Sequence, residues 1–473
     1  MTIEEAHCIH LVGVKGVAMA NFAVILKKMG KQVSGSDVSD EFITDNELIA
    51  HDISVSVGFG SLPPVCDMVI YSGAHEGSNN PQVIEAKKKS IPLYTQAQAL
   101  GELTTFFKNP TAVCGTHGKT TTSSLLSHFL IKAGKSPSYL VGAPKFGDFW
   151  GGDYQKGEYF IIEADEYGVS PPIDKTPKFH FLHPLTVIMT SVDFDHPDVF
   201  DDIDAVKKAF STFLEKKEVQ KVIACIDDEN IHDILSRCNL QNVISYGFSK
   251  EADFRIITSS TQHDKTIFTA SYRGRKPEAF SLSLCGKHNI LNAASIIVWA
   301  LQNGFDLETI KNGIGDFVGA QRRFQKIGEV DGVLVFDDYA HHPREIAATI
   351  AGARSRFPGK RIIVIFQPHT YSRTKALLED FIRALSFSDL AVIAPIFASQ
   401  REQDGHTMIS QEDLREEIHK KGIQSIHVLS YGEIKKFIET HVKKGDVVFT
   451  MGAGDIYKLA SDIISLCAQS TKV

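Results

Sequence analysis

Apolar positions along this chain switch between two spacings, short continuous runs and longer stretches of helical period, and the alternation predicts an α/β protein. Near the start, Cys8 to Val12 reads as a strand, Ala18 to about Met29 as a helix, and Gln32 to Gly35 and Met68 to Tyr71 as further strands, a Rossmann-like order. A polar stretch from Thr104 to Pro110 puts a boundary near Lys108. Strands then follow at Thr111 to Cys114, Tyr159 to Ile162, Thr186 to Met189 and Lys221 to Cys225, before a mixed region to Leu284 and a helix from about Leu291 to Asn303. Beyond Gly319, the runs Val333 to Phe336, Arg361 to Phe366, Leu390 to Ala394 and Val447 to Thr450 read as parallel buried strands between helices. Three domains are expected, 1–108, 109–318 and 319–473, the outer two Rossmann-like.

The central domain opens on the most specific segment. Thr111 to Cys114 turns through Gly115-Thr116-His117-Gly118-Lys119-Thr120-Thr121, and Leu125, Leu126, Phe129 and Leu130 then recur at helical spacing. A strand, glycine loop and helix in that order form a phosphate cradle, which makes this domain P-loop ATPase-like. Lys119 would reach the terminal phosphates of ATP, and Thr120 a magnesium ion. Val113 stands where the general motif has its first glycine, so the loop is the shortened form G-x-x-G-K-T.

Composition narrows the partners. The 50 Lys and Arg against 57 Asp and Glu, interspersed, predict neither a nucleic-acid nor an anionic-membrane surface. Seven scattered cysteines without a C-x-x-C pair fit reduced thiols in a cytoplasmic protein and offer no zinc site. The acidic start is not a signal peptide, and no apolar run reaches membrane-spanning length. Since no arginine precedes Arg237, phosphates bound by the first half must be held by amides, hydroxyls, lysine or metal.

Other candidates gather at strand ends, where open α/β sheets bind ligands. In the first domain these are the Gly13-Val14-Lys15-Gly16 turn and Asp37. A nicotinamide cofactor would use such a turn, but G-x-G-x-x-G is not spelled out. Glu163-Ala164-Asp165-Glu166 offers carboxylates for magnesium, or a solvated acidic turn. In Asp193-Phe194-Asp195-His196-Pro197-Asp198, His196 is either a metal or phosphate residue or a cap. His288, Asn289 and Asn292 at a helix start can cap it or clamp a nucleotide. Arg322 and Arg323, between domains two and three, suit a charge that reaches ATP on closure, or a solvated pair. Asp337 to Pro343 and Gln367 to Thr374 form two polar clusters, read as lying at adjacent strand ends around a pocket mouth, with the Gly452-Ala453-Gly454-Asp455 turn nearby. No G-x-S-x-G elbow or cysteine-nucleophile signature occurs.

Five segments in order, Gly115 to Thr120, Glu163 to Glu166, His288 to Ala293, Arg322-Arg323-Phe324 and Asp337 to Pro343, resemble the Mur ligase family, ATP-dependent enzymes that build the peptide of bacterial peptidoglycan precursors. The resemblance covers essentially the whole chain. It implies a first domain that binds a UDP-sugar through Gly13, Gly16, Asp37, Ser72 and Gly73. It also implies ATP contacts from Gly115, Thr116, His117, Gly118, Lys119, Thr120, Thr121, Asn289, Asn292, Arg323 and Asp338, with Thr120, Glu163 and His196 serving magnesium. Lys119, Glu163, His196 and Arg323 are then the catalytic set, and Tyr339, His341 and Arg373 face the amine. The implied reaction joins L-alanine to the carboxylate of UDP-N-acetylmuramate through an acyl phosphate, releasing ADP and phosphate. Phe366-Gln367-Pro368-His369 and Tyr371-Ser372-Arg373-Thr374 are similar to alanine-adding members, whereas Asp165-Glu166-Tyr167 through His196 is similar to members that attach a recycled murein tripeptide. Thr370 stands where alanine-adding members usually carry arginine. A catalytically silent nucleotide-binding regulator is the alternative of another class, and the protein is expected as a monomer or homodimer.

Overall fold

In the computed structural model, residues 1–262, 265–398 and 409–470 are described. The chain divides into two compact units. One comprises residues 1–260, 267–283 and 289–318; the other comprises 261–266, 284–288 and 319–473.

The first unit contains two sheets with helices. Strands β1 (Cys8–Val12), β2 (Gln32–Asp37), β3 (Ser54–Val57), β4 (Met68–Tyr71) and β5 (Leu93–Thr95) form a sheet of order β3-β2-β1-β4-β5, with every neighbouring pair parallel. The order reverses between β1 and β4, and such a switch point opens a crevice at the carboxyl ends. Gly13 follows β1 and Ser72 follows β4, so the candidate sugar residues flank that crevice. The helix Val17–Lys28 starts at Gly16 and buries Met19 to Leu26. Of these five strands, β3 and β5 escape the hydrophobic pattern: β3 is short and mostly exposed, and β5 spans three half-buried residues.

The larger sheet is built on β6 (Asn109–Cys114), β7 (Ser138–Phe146), β8 (Phe149–Asp153) and β9 (Tyr159–Glu163), followed by a separate hairpin, β10 (Gly168–Ser170) with β11 (Asp174–Pro177). It continues through β12 (Thr186–Met189), β13 (Lys221–Cys225), β14 (Val243–Gly247), β15 (Phe254–Gln262), β16 (Lys265–Tyr272) and β17 (Glu278–Leu282). Its order is β17-β16-β15-β14-β13-β12-β6-β9-β7-β8. Strand β6 is central, parallel to β12 on one side and β9 on the other. The residues leaving these three strands therefore emerge at one edge, and they include the glycine loop, Glu166 and His196.

The second unit is organised around β18 (Gln325–Val330), β19 (Val333–Asp338), β20 (Ile362–Phe366), β21 (Leu390–Ile393), β22 (Ile426–Val428) and β23 (Val447–Met451), in the order β18-β19-β23-β20-β21-β22. Side chains alternate across this sheet with period two. Leu334, Phe336, Val364 and Phe366 bury against the helices Pro343–Arg356 and Leu378–Leu385 on one face. Val333, Val335, Ile363 and Ile365 bury against Tyr431–His441 and Tyr457–Ser470 on the other. Covering both faces explains why the strands read as continuous apolar runs.

Two sequence expectations need correction here. Strands β19 and β20 are not neighbours: β23 runs between them, parallel to both, so the two polar clusters leave strands that do not pair with each other. Strand β19 also continues through Asp337 and Asp338 instead of ending at Phe336. Both acids are buried, and Asp337 is neutralised by Arg322 at 3.0 Å, which makes a charged residue tolerable inside a strand. The edge strand β18, antiparallel to β19, was not anticipated.

Candidate functional site

The glycine loop leaves β6 and enters the helix Lys119–Lys132, with Gly118 as its N-cap. Gly115 and Gly118 have φ of 135° and 83°, where a side chain is strained. A Cβ on Gly118 would stand 2.7 Å from Asn292 Oδ1, and one on Gly115 would stand 2.2 Å from Thr190 Oγ1. The glycines thus let the backbone close onto its neighbours, leaving the amides of the first helical turn to face an anion. The segment that follows β12 fastens the loop. Thr190 Oγ1 donates to His117 O at 2.6 Å, Thr116 N donates to Ser191 O at 2.9 Å, and His117 N donates to Ser191 Oγ at 2.9 Å. Thr116 Oγ1 in turn accepts from Asp193 N at 2.9 Å.

Lys119 Nζ donates to both oxygens of Glu166, at 2.9 and 2.8 Å, and to Gly115 O at 2.6 Å and Thr116 O at 3.1 Å. Burial opposes its charge, but the carboxylates of Glu166, Asp165 and Glu163 outweigh burial and hold the ammonium protonated. Burial raises Glu166 to about 7 despite the adjacent lysine. Thr120 Oγ1 donates to Glu163 Oε1 at 3.2 Å, and Gly142 N donates to Glu163 Oε2 at 2.8 Å. A hydroxyl and a carboxylate this close are hard oxygen donors of the kind magnesium takes, so the pair fits that ion. His196, at φ 58°, lies 3.9 Å from Glu166 Oε1 and 3.7 Å from Asp195 Oδ2, with Tyr167 against its ring.

His288 and Asn289 lie inside the helix Lys287–Gln302, where Asn292 Nδ2 donates to Asn289 Oδ1 at 3.3 Å. Helix packing places Asn292 against Gly118, a contact between residues 174 positions apart that no local pattern encodes.

At the first sheet, Asp37 Oδ2 accepts from Lys15 N at 2.7 Å and Asp37 Oδ1 from Val38 N at 2.8 Å. His75 Nε2 stands 3.2 Å from Asp37 and its ring packs on Phe59. Burial opposes ionisation of Asp37, yet the His75 hydrogen bond and the two amides hold its carboxyl below the usual range. Ser72 Oγ would lie 2.5 Å from a Cβ on Gly13. Gly73 has a different job: its missing Cβ admits Val169 O of the β10–β11 hairpin, which a Cβ would meet at 2.1 Å. Gly16 makes the N-cap of the following helix. His75 carries no sequence signal beyond its position after a strand, so its contact with Asp37 is visible only in the fold.

In the second unit, Arg322 is a structural lock. It binds Asp337, donates to the carbonyls of Gly454 at 3.2 Å and Gly452 at 2.6 Å, and stacks between Tyr339 and Tyr457. Arg323 lies over Tyr339 at 5.1 Å. Asp338 accepts from Phe324 N and Ala340 N, both at 2.8 Å, and burial raises its carboxyl to about 6. His341 packs edge-on against Tyr339, with His369 6.3 Å from its ring, and His369 Nδ1 stands 3.4 Å from buried Arg373. Tyr339, His341, His369 and Arg373 therefore form one connected cluster in this unit.

A glycine loop with a lysine and a hydroxyl–carboxylate pair is the arrangement of a nucleotide-using enzyme. Three family models match in succession: the Mur ligase family catalytic domain at residues 8–108, the Mur ligase middle domain at 113–300, and the Mur ligase glutamate ligase domain at 322–454. The chain belongs to the Mur ligase family. Among its relatives, the UDP-N-acetylmuramate–L-alanine ligase of Caldanaerobacter subterraneus subsp. tengcongensis is 36% identical over 98% of each chain. The ligase of the same name from Lachnospira eligens is 37% identical over 96% of this chain and 97% of its own. Among solved structures, the UDP-N-acetylmuramate–alanine ligase of Thermotoga maritima aligns with a TM-score of 0.79 at 24% identity, covering 98% of this chain and 99% of its own. A murein peptide ligase from Psychrobacter arcticus gives 0.74 at 24% with the same coverage. At that identity both speak to the fold.

Proposed function

We propose that this protein is the ATP-dependent ligase that joins L-alanine to the carboxylate of UDP-N-acetylmuramate, releasing ADP and phosphate. The observation that carries the acceptor is that relatives named for this reaction match over essentially the whole chain at 36–37% identity. The division into domains 1–108, 109–318 and 319–473 is part of the reading. Gly13, Gly16, Asp37, Ser72 and Gly73 serve the UDP-sugar, directly or by shaping the crevice. Gly115 to Thr121, Asn289, Asn292, Arg323 and Asp338 serve ATP, and Tyr339, His341 and Arg373 serve the amine. The enzyme works in the cytoplasm; among the described residues no helix is long and apolar enough to cross a membrane.

The chemistry follows from what these side chains offer. A carboxylate is a poor electrophile, so it must first accept a phosphoryl group before an amine can attack. Lys119, kept cationic by three carboxylates, neutralises charge on the transferred group, and the helix amides orient it. Magnesium held by Thr120, Glu163 and His196 would supply further positive charge there. Arg373, buried beside His369, offers a cation for the amino-acid carboxylate.

The test is ADP release with UDP-N-acetylmuramate present and L-alanine or the murein tripeptide supplied at equal concentration. Faster release and the corresponding product mass with L-alanine support the proposal. Preference for the tripeptide moves the chain to the peptide-recycling reaction, and no stimulation by any amine removes the ligase reading.

A further inference from the structure

In the second unit, one carboxylate joins groups that the proposed function assigns to two different substrates. Glu345 occupies the third position of the helix Pro343–Arg356 and closes a capping box with His342. Its Oε2 accepts from His341 N at 3.1 Å and His342 N at 3.4 Å, and lies 3.4 Å from His341 Nδ1. Its Oε1 stands 3.9 Å from Arg323 Nη1. Tyr339 fills the third side, with Arg323 over its ring and its carbonyl 3.1 Å from His341 Nδ1. A capping glutamate ordinarily serves only the backbone amides of its helix. Here the same side chain also faces a guanidinium and an imidazole, and it is only 12% exposed, so its charge is poorly screened. Its influence reaches further, since it favours protonation of both Asp338 and His288.

We propose that Glu345 is a positioning residue that couples the nucleotide arm to the amine arm, holding Arg323 and His341 in register through one carboxylate. This inference rests on the assignment of Arg323 to ATP and His341 to the amine. Glu345 acts through Arg323 and His341. It holds the Arg323 guanidinium through the ion pair and the His341 backbone through its amide, and its carboxylate shares the Nδ1 side of the His341 ring with the Tyr339 carbonyl. Because both contacts draw on the same side chain, ordering one arm lowers the cost of ordering the other.

Glu345→Gln separates this role from helix capping, because the amide oxygen still accepts from the backbone amides while the charge is gone. Wild-type ligase activity is measured first; its absence would overturn the proposed function, whereas the coupling claim is judged only against an active wild type. The expected result for Glu345→Gln is a KM for the amine and a KM for ATP each raised roughly three- to tenfold, as for loss of a half-buried charge-assisted contact. The KM for UDP-N-acetylmuramate and the thermal midpoint stay at wild-type values. The affinity for the amine, measured with and without a non-hydrolysable ATP analogue, should also lose its dependence on the nucleotide. Unchanged KM values for amine and ATP overturn the proposal, as does a uniform rise for all three substrates. Glu345→Ala, which also removes the cap, should add a lower thermal midpoint to the same kinetic pattern; the midpoint change without the kinetic pattern would reduce Glu345 to a cap.

Discussion

Glu47 offers a test of the fold that needs no substrate. It lies in the helix Asp45–Ala50, fully buried, and neither carboxyl oxygen has a hydrogen-bond partner among the described residues. The charge that offsets its burial is Lys145 on β7, whose ammonium sits 3.7 Å above the ring of Trp150; Trp150 in turn meets His51 at the end of the Glu47 helix. Tyr139, also on β7, feels the Glu47 charge. Burial pushes the Glu47 carboxyl from 4.5 up to about 8. The folded chain therefore keeps a proton that the unfolded chain releases, so stability is full below pH 4.5, falls as pH rises, and reaches its reduced level above about 8. At about 1.4 kcal/mol per pH unit, that window of about 3.5 units corresponds to a ceiling of about 5 kcal/mol. Glu47→Gln removes the titration while keeping the shape. The stability of the variant relative to wild type should rise by about 3–5 kcal/mol between pH 5 and pH 8.5. Urea unfolding followed by Trp150 fluorescence in a Trp299→Phe background, with hydrogen exchange on residues 44–53, reads the effect. A difference between the two proteins that stays constant across that range would refute the reasoning.

Three further outcomes concern the site. Lys119→Ala should lower turnover by at least about a hundredfold with native-like circular dichroism, because it removes the cation proposed to act on the phosphates; a retained rate would contradict that proposal. Gly118→Ala forces a side chain into φ 83° against Asn292, and a strain of about 1–2 kcal/mol should weaken ATP binding by roughly 5- to 30-fold in calorimetry, whereas unchanged affinity would show that the loop is not the nucleotide site. Arg373→Ala should raise the KM for the amine far more than that for ATP, and equal effects on both would move Arg373 out of the amine pocket.

What could be read from the sequence is local. The phosphate loop is legible because β6, Gly115, Gly118, Lys119 and the helix follow one another without interruption, and Glu163 because it ends a short apolar run. The order of strands in the third sheet is not, since β23 enters from more than eighty residues beyond β20 to pair with it and with β19. Asp337 and Asp338 read as a loop because two acids look solvent-bound, whereas Arg322, the Thr450 hydroxyl and the backbone amides of Phe324 and Ala340 satisfy them inside the fold. Glu166 reads as part of an acidic run, but its partnership with Lys119 spans 47 positions and depends on β6 and β9 lying side by side. The same holds for Glu345, which reads as an ordinary helix-start acid until Arg323 and His341 are placed around it.

The central claim, that the substrate carboxylate is activated by phosphoryl transfer before the amine attacks, is tested most directly by isotope transfer. UDP-N-acetylmuramate carrying 18O in its carboxyl group is turned over with ATP and L-alanine, and the released phosphate is examined by mass spectrometry. One labelled oxygen should appear in each phosphate, with alanine found in an amide on the sugar product. Phosphate free of label, released alongside that same amide product, would contradict the account.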